Sequence, residues 1–474
     1  MNSAEISDVT TSSTRQPLIE ADSKFRPKTI PRLNDWQYLE RSIHRMICAW
    51  GRRFGEWDDK ASIHKMVWDQ AECVRRLRQR VEEFPAGKPD EPVSCRLEAL
   101  ANIVLQAPSK EDWLDGVFQV LTIGIVRSYM IYTKSAHNVH DAPTIAVIHE
   151  ICTIKEQHRL WLRDYRRRNP HTIDAAYKAS IEEALKNLGN LEMEIGFEDG
   201  KIAQPCGVAI QFRPIAEAEL PKAALKAPDA SKVSVYTNID FHSNIETRRI
   251  FWCFGYMLEI NLADQQLAWI YDATYMPWAF HHDVSRHLWD ESRHGQSGYS
   301  RFLDFGLTHE FIGFSRNNSD PNVLQPTMTP KDLYEVMYNV GMLAETSHFN
   351  VKNEAYTDFR EGGDLESAEM MLFDIIDETT HVQYTHRWLP IIAKHAEVEL
   401  GDYKGRAAQA LKQWAIDAET YRQKTLPNLD CSPENPHWKR YNEIKEIMRA
   451  KKPFSNVDTC APRTKLHYFW GSAD

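Results

Sequence analysis

The 474-residue sequence predicts an all-α protein made of two tandem four-helix bundles from an internal duplication, the first degenerate and the second metal-binding. Three observations lead there. Apolar residues recur at helical spacing through eight long stretches, while strand-like alternation is confined to short pieces such as 207–213 and 232–237. Four stretches of the second half each carry a glutamate in apolar surroundings, three of them with a histidine three residues later. The first half repeats the order of the second.

The N-terminal 1–25 segment is polar and Ser/Thr-rich, lacks the apolar core of a signal peptide, and is expected to be disordered. Helices are predicted over 33–56, 60–84, 110–136 and 143–168, within a bundle spanning 26–190. A Pro- and Ala-rich connection covers 191–243. Helices over 246–272, 275–305, 330–358 and 365–397 make a second bundle within 244–424, and an extension, 425–474, is expected to wrap it. Longer connections at 85–109 and 306–329 sit where such a topology needs its crossover. No run of 18 apolar residues occurs, so no membrane span is expected.

The chemistry-bearing set is Glu259, Glu291 with His294, Glu345 with His348, and Glu378 with His381. Residues three apart share a helix face, so each pair sends a carboxylate and an imidazole to one point. Glu259 shares its face with Trp252, Tyr256 and Leu267, and Glu378 with Met371, Ile375 and Leu389. A carboxylate on such a stripe is costly to bury unless it is paired or bound to metal. Helices carrying Glu, Glu-x-x-His, Glu and Glu-x-x-His form the ligand set of dinuclear iron and manganese carboxylate bundles. Glu434 with His437 is a further match, but two prolines in SPENPH argue against a regular helix, and it reads as a loop coincidence.

DESRHG at 290–295 resembles the box of acyl-carrier-protein desaturases and related di-iron oxygenases. DETTHVQYTHRW at 377–388 resembles the last helix of ferritin-like proteins of unassigned function. The resemblance runs from roughly 246 to 396 and is confined to motifs. It implies a ferritin-like bundle, two iron ions and dioxygen as co-substrate, with Glu259, Glu291, His294, Glu345, Glu378 and His381 as ligands. Asp290 and Asp377 match the carboxylates that accept ring N–H groups of ligand histidines; the alternative for each is a solvated helix charge. Thr380 departs from the desaturase-like box, which has arginine there. His348 lies outside the common pattern. An added histidine ligand is seen in arylamine N-oxygenases, on a different helix. His348 has three readings: a seventh ligand, a base behind the ligands, or a core histidine bonded to a carbonyl.

Residues 38–50 line up with 257–269 at an offset of 219 residues, and 68–73 with 289–294 at 221. Residues 111–118 parallel 331–338 near 220, and Glu150 falls on Glu378 at 228. In this alignment Glu40 and Glu150 keep two glutamates. Gln70 and Cys73 stand opposite Glu291 and His294, Ile125 and Ser128 opposite Glu345 and His348, and Thr153 opposite His381. Two carboxylates with no aligned histidine do not hold a metal pair in the usual way. His149, Glu156 and His158 leave a differently built second site open.

A formal charge of −10 gives no basic footprint for nucleic acid. Eight cysteines without a CxxC pattern, among them Cys48, Cys152 and Cys253, read as thiols in a reducing cytoplasm. The donor types suit an Fe/Fe pair and leave Mn/Fe open. The expected activity is dioxygen-dependent oxidation of a small organic substrate by N-oxygenation, hydroxylation or desaturation. No flavin, nicotinamide or Fe–S motif is evident, so an electron-transfer protein or the substrate supplies electrons. Tyr256, Trp289, Tyr299, Phe349 and Tyr384 either line a pocket or pack the helices. A ferroxidase and a non-catalytic scaffold are the alternatives. Nothing in the sequence fixes the oligomeric state, and a homodimer is compatible with it.

Overall fold

All eight stretches with helical periodicity are helical in the computed structural model, which describes residues 29–85, 87–90, 95–188, 244–308, 311, 328–425 and 432–454. The first half comprises α1 (Thr29–Trp50), α2 (Trp57–Glu82), α3 (Cys95–Leu105), α4 (Lys110–Leu114), α5 (Thr122–Ser135), α6 (Ala142–Arg168) and α7 (Ala175–Leu188). The second comprises α8 (Ile245–Asp272), α9 (Trp278–Asp304), α10 (Pro330–Met337), α11 (Glu345–Glu361), α12 (Leu365–His395), α13 (Tyr403–Thr425) and α14 (Pro436–Lys451). The described residues contain no strand. The 1–25 segment, the two strand-like pieces and most of the 306–329 connection lie outside them.

Matching caps start α4 and α10. Ser109 Oγ accepts from the Asp112 amide, and Thr329 Oγ1 from the Asp332 amide, with the Asp332 carboxylate returning to the Thr329 amide. Each helix then enters a seven-residue π-helical segment, Asp115–Leu121 and Tyr338–Ala344, before continuing as α5 and α11. Such wider turns rotate every later residue to a new face.

Glycines set the closest approaches. A Cβ at Gly298 on α9 would lie 2.4 Å from the Cys253 carbonyl oxygen and 2.9 Å from the Met257 amide nitrogen, so α8 and α9 meet backbone to backbone. A Cβ at Gly341, in the second π segment, would lie 2.7 Å from the Thr385 Cβ on α12. α8 is buried on nearly every face, as a helix inside a core must be. It packs on α9, α1, α11 and α14.

The halves are not separate bodies. α2 packs on α9 and α1 on α8, and one apolar core runs from Leu33 and Trp113 to Leu267, Trp269, Leu333 and Ile392. A second cluster gathers Phe251, Met257, Phe302, Tyr441 and Met448. Buried polar contacts tie the junction: Lys60 and His64 reach Asp264 at 2.5 and 3.0 Å, and His64 Nδ1 lies 3.1 Å from Ser292 Oγ.

One expectation is corrected. Pro436 opens α14 as its first residue, a position proline tolerates, so His437 is helical, while Glu434 stays exposed outside the helix. The stretch Lys110–Ser135 is long and apolar enough by composition to cross a membrane, with a mean hydropathy of 1.3. Half of that window is buried inside the protein, where Trp113, Val117 and Leu121 join the core.

Candidate metal centre

Four helices deliver buried donors to one point: Glu259 from α8; His287, Glu291 and His294 from α9; Glu345 from α11; and Asp374, Glu378 and His381 from α12. On α9 and α12 the donors occupy the same three positions of one face, a glutamate with partners four residues before and three after. The π segment ahead of α11 ends where Glu345 begins, so that irregular turn sets Glu345's direction.

The donors fall into three overlapping groups: Glu291 joins the first two, and His294 joins the second to a third with Asp374 and Glu378. On one side, His287 Nε2 lies 2.9 Å from Glu291 Oε1 and 3.1 Å from Glu345 Oε1. His381 Nδ1 lies 3.5 Å from Glu291 Oε1 and 3.5 Å from Glu378 Oε2, and its ring stacks on His287 with centroids 3.6 Å apart. On the other side, His294 Nδ1 lies 3.1 Å from Glu259 Oε2, 3.7 Å from Glu291 Oε2 and 3.5 Å from Asp374 Oδ1. Lys352, two turns past Glu345, places its ammonium 2.7 Å from both Asp374 Oδ2 and Glu378 Oε1.

A ring of outer contacts fixes the imidazoles. His294 Nε2 lies 3.3 Å from Asp377 Oδ2, and His381 Nε2 lies 3.4 Å from Asp290 Oδ2. Each histidine is thus braced by the aspartate of the opposite helix, which turns its Nδ1 inward. Arg293 donates to both aspartates, and Arg286 donates to Asp290 and lies 3.5 Å from Asp377.

The residues present fit a pair of divalent cations. Glu259 Oε2, Glu345 Oε2, Glu378 Oε2, His294 Nδ1 and His381 Nδ1 are buried without a hydrogen bond, an arrangement that native interiors avoid. In the state that binds metal, with the carboxylates ionised and the imidazoles neutral, five carboxylates (Glu259, Glu291, Glu345, Asp374, Glu378) against one ammonium leave four negative charges, which two divalent cations balance. In the outer ring, two arginines balance two aspartates. The proton affinities express the same strain. Burial pushes Glu259 up to about 8 against the pull of His294. Burial also opposes charge on Glu291, but His287 and His294 outweigh it and bring Glu291 down to about 2. Burial disfavours charged His294 and His381, yet Asp374 and Asp377 for the former, and Asp290 and Glu378 for the latter, hold both well above the ordinary histidine range.

The structure therefore brings together Glu259, Glu291, His294, Glu345, Glu378 and His381. His348 is half-buried and belongs to none of the donor groups; the third imidazole is His287. Sequence reasoning missed His287, Asp374 and Lys352. The first two lie four residues before Glu291 and Glu378, a position that extending each Glu-x-x-His by one turn would have reached.

In the first half a buried ammonium lies against Glu40 and Gln70. Lys155 Nζ lies 2.5 Å from Glu40 Oε2 and donates to Gln70 Oε1 at 2.6 Å, while the Tyr129 hydroxyl donates to Glu40 Oε1 at 3.0 Å. His158 Nε2 lies 3.4 Å from Asp69 Oδ2, reproducing the contact between His381 and Asp290. The two π segments lie 223 residues apart, and at that spacing Lys155 and His158 fall on Glu378 and His381, and Tyr129 on Lys352, where the sequence alone sets Glu150 against Glu378 at 228. Glu150 is an exposed residue paired with Arg76. His149 and Glu156 are exposed too.

Of the aromatic set, Tyr256 lies beside the donors, its ring 6.0 Å from that of His294. Trp289 stacks on Trp68 and Tyr299 packs on Trp57, both across the junction with the first half. Phe349 and Tyr384 are half-buried. A cavity of about 340 Å³ between α1, α3 and the α8–α9 turn is lined by Arg41, Arg45, Tyr271, Trp278 and His281 among others, and by none of the donors.

Comparison with family models, with curated proteins and with solved structures found no match for this chain. The donor geometry alone carries the functional argument.

Proposed function

We propose that this protein is a dinuclear metal oxidoreductase of the ferritin-like type, which uses dioxygen to oxidise a small organic substrate. In this reading the second of two duplicated four-helix bundles holds the metals. The observation that carries it is the convergence of eight buried donors whose excess charge two divalent cations neutralise. In this reading one position takes His287, Glu291, Glu345 and His381, and the other draws on the two donor groups that share His294, one with Glu259 and Glu291 and one with Asp374 and Glu378. Carboxylates with imidazoles suit iron, and the same set accommodates an Mn/Fe pair. A ferrous pair bound there would supply two electrons toward dioxygen reduction, with the remaining electrons coming from the organic substrate or an electron-transfer protein.

The protein's own part is positional. Asp290 and Asp377 keep Nδ1 of His381 and His294 aimed inward, and Glu291 offers one oxygen to each position. Arg286 and Arg293 pair with both outer aspartates and fix their positions. Tyr256 and Trp269, both buried, set their rings 6.0 Å and 6.5 Å from those of His294 and His287. The duplication is supported by the matched caps, the paired π segments and the repeated Asp–His contact.

The test is anaerobic ferrous loading with metal analysis, followed by oxygen exposure with candidate amines, acyl chains and aromatics. The expected result is about two irons per chain, as the ligand set requires, and oxygen uptake that depends on an organic substrate. Uptake driven by iron alone would favour the ferroxidase. Absence of bound metal would leave the scaffold.

A further inference from the structure

We propose that Lys352 competes with the second metal ion and makes the two metal positions unequal. The first divalent cation then enters the position of His287, Glu291, Glu345 and His381, and the second enters only as Lys352 releases Asp374 and Glu378. This inference rests on the dinuclear reading above.

Lys352 is 1% exposed and sits on α11 seven residues after Glu345, on the same inward face. Its ammonium is 2.7 Å from one oxygen of Asp374 and 2.7 Å from one of Glu378, and it overlies the Tyr256 ring at 5.8 Å. Asp374 and Glu378 share a donor group with His294, on the Glu259 side of the centre. On the other side, two imidazoles and two carboxylates lie within ligand distance of one another with no ammonium among them. A cation arriving there meets donors already gathered. A cation arriving on the Glu259 side must displace a buried ammonium or share carboxylates with it, at a separation where like charges repel strongly in a dry interior. The first half shows that this cage accepts an ammonium as counter-charge. There Lys155 lies between Glu40 and Gln70, from α6 and not from the α11-equivalent helix, and occupies the centre outright.

The experiment titrates the metal-free full-length protein anaerobically with Mn(II) and follows the free ion by its electron paramagnetic resonance signal. The wild type should bind one Mn(II) tightly and a second about tenfold or more weakly, the scale that a competing unit charge sets. Lys352→Met should tighten the weak class about tenfold and leave the tight class within about threefold, whereas Lys352→Arg, which keeps the charge, should retain two classes. His287→Ala should weaken the tight class alone. Two equal wild-type sites, or a weak class unmoved in Lys352→Met, would overturn the role of Lys352. If circular dichroism shows Lys352→Met unfolded, the wild-type and Lys352→Arg titrations still decide. A wild type that binds no metal would overturn the dinuclear reading itself, a result distinct from two equal sites.

Discussion

At the scale of single residues, the centre depends on which nitrogen each histidine presents. Asp377 lies against His294 Nε2 and leaves Nδ1 facing Glu259, so Asp377→Asn should weaken metal binding roughly 10–100-fold without removing a donor. Equilibrium dialysis against a chelator would measure this, and wild-type affinity in the variant would remove the bracing role. His287 and His348 make a paired comparison. His287→Ala should lower bound metal toward one per chain, whereas His348→Ala should leave it unchanged. The converse result would reinstate the helical-face argument that put His348 among the ligands. The geometry favours His287 for a local reason. Three residues past Glu345 is the edge of the inward face, and the centre is occupied seven residues past it, by Lys352. Six donors were legible because a glutamate on an apolar stripe is costly to bury unless something binds it, and a histidine three residues on gives that binding a partner. His287 and Asp374 were not, because a histidine or aspartate four residues upstream looks like ordinary helix polarity.

At the scale of elements, the eight long helices were readable from periodicity to within a few residues, but the two π segments were not. A π turn is decided by packing against a neighbour, and no local residue pattern announces it. α10 has eight residues and α4 five, so the spacing between the matched features steps from 220 at the caps to 223 at the π segments, a step that the 228-residue offset set for Glu150 does not follow. Gly341 makes the π segment's role testable. Gly341→Ala would drive a methyl into Thr385, so it should cost about 1–3 kcal/mol and shift Glu345, visible as a lower melting temperature with weaker metal retention. In the first half, Glu40→Gln would strip Lys155 of its buried counter-charge. It should destabilise the fold by about 3–5 kcal/mol in urea titrations and leave metal content at the wild-type level. Loss of metal from a folded Glu40→Gln variant would show that the first half binds a cation of its own.

At the scale of the whole molecule, a shared core and a charged centre make stability, metal content and pH one linked quantity. Glu259 is raised from an ordinary 4.5 to about 8, so its contribution to the metal-free fold is full below 4.5 and is lost as pH climbs through about 8. His294 and His381, raised well above 6.5, act in the same sense: their contribution is present below 6.5 and fades as pH rises through their folded values. Glu291 has the opposite sign. Lowered to about 2, it stabilises above 4.5 and loses that contribution as pH falls toward 2. The metal-free protein should therefore be most stable in mild acid and lose melting temperature as pH rises from about 6.5 to 9. In the dinuclear reading metal ions would replace those protons as counter-charge, and a ligand that binds only the folded state stabilises it. With two equivalents of Mn(II) the decline over the same window should flatten or reverse. Scanning calorimetry at several pH values, with metal and with chelator, measures both curves. A metal-free melting temperature that climbs through this window would mean that the carboxylates are neutralised by something other than protons and the cations proposed here.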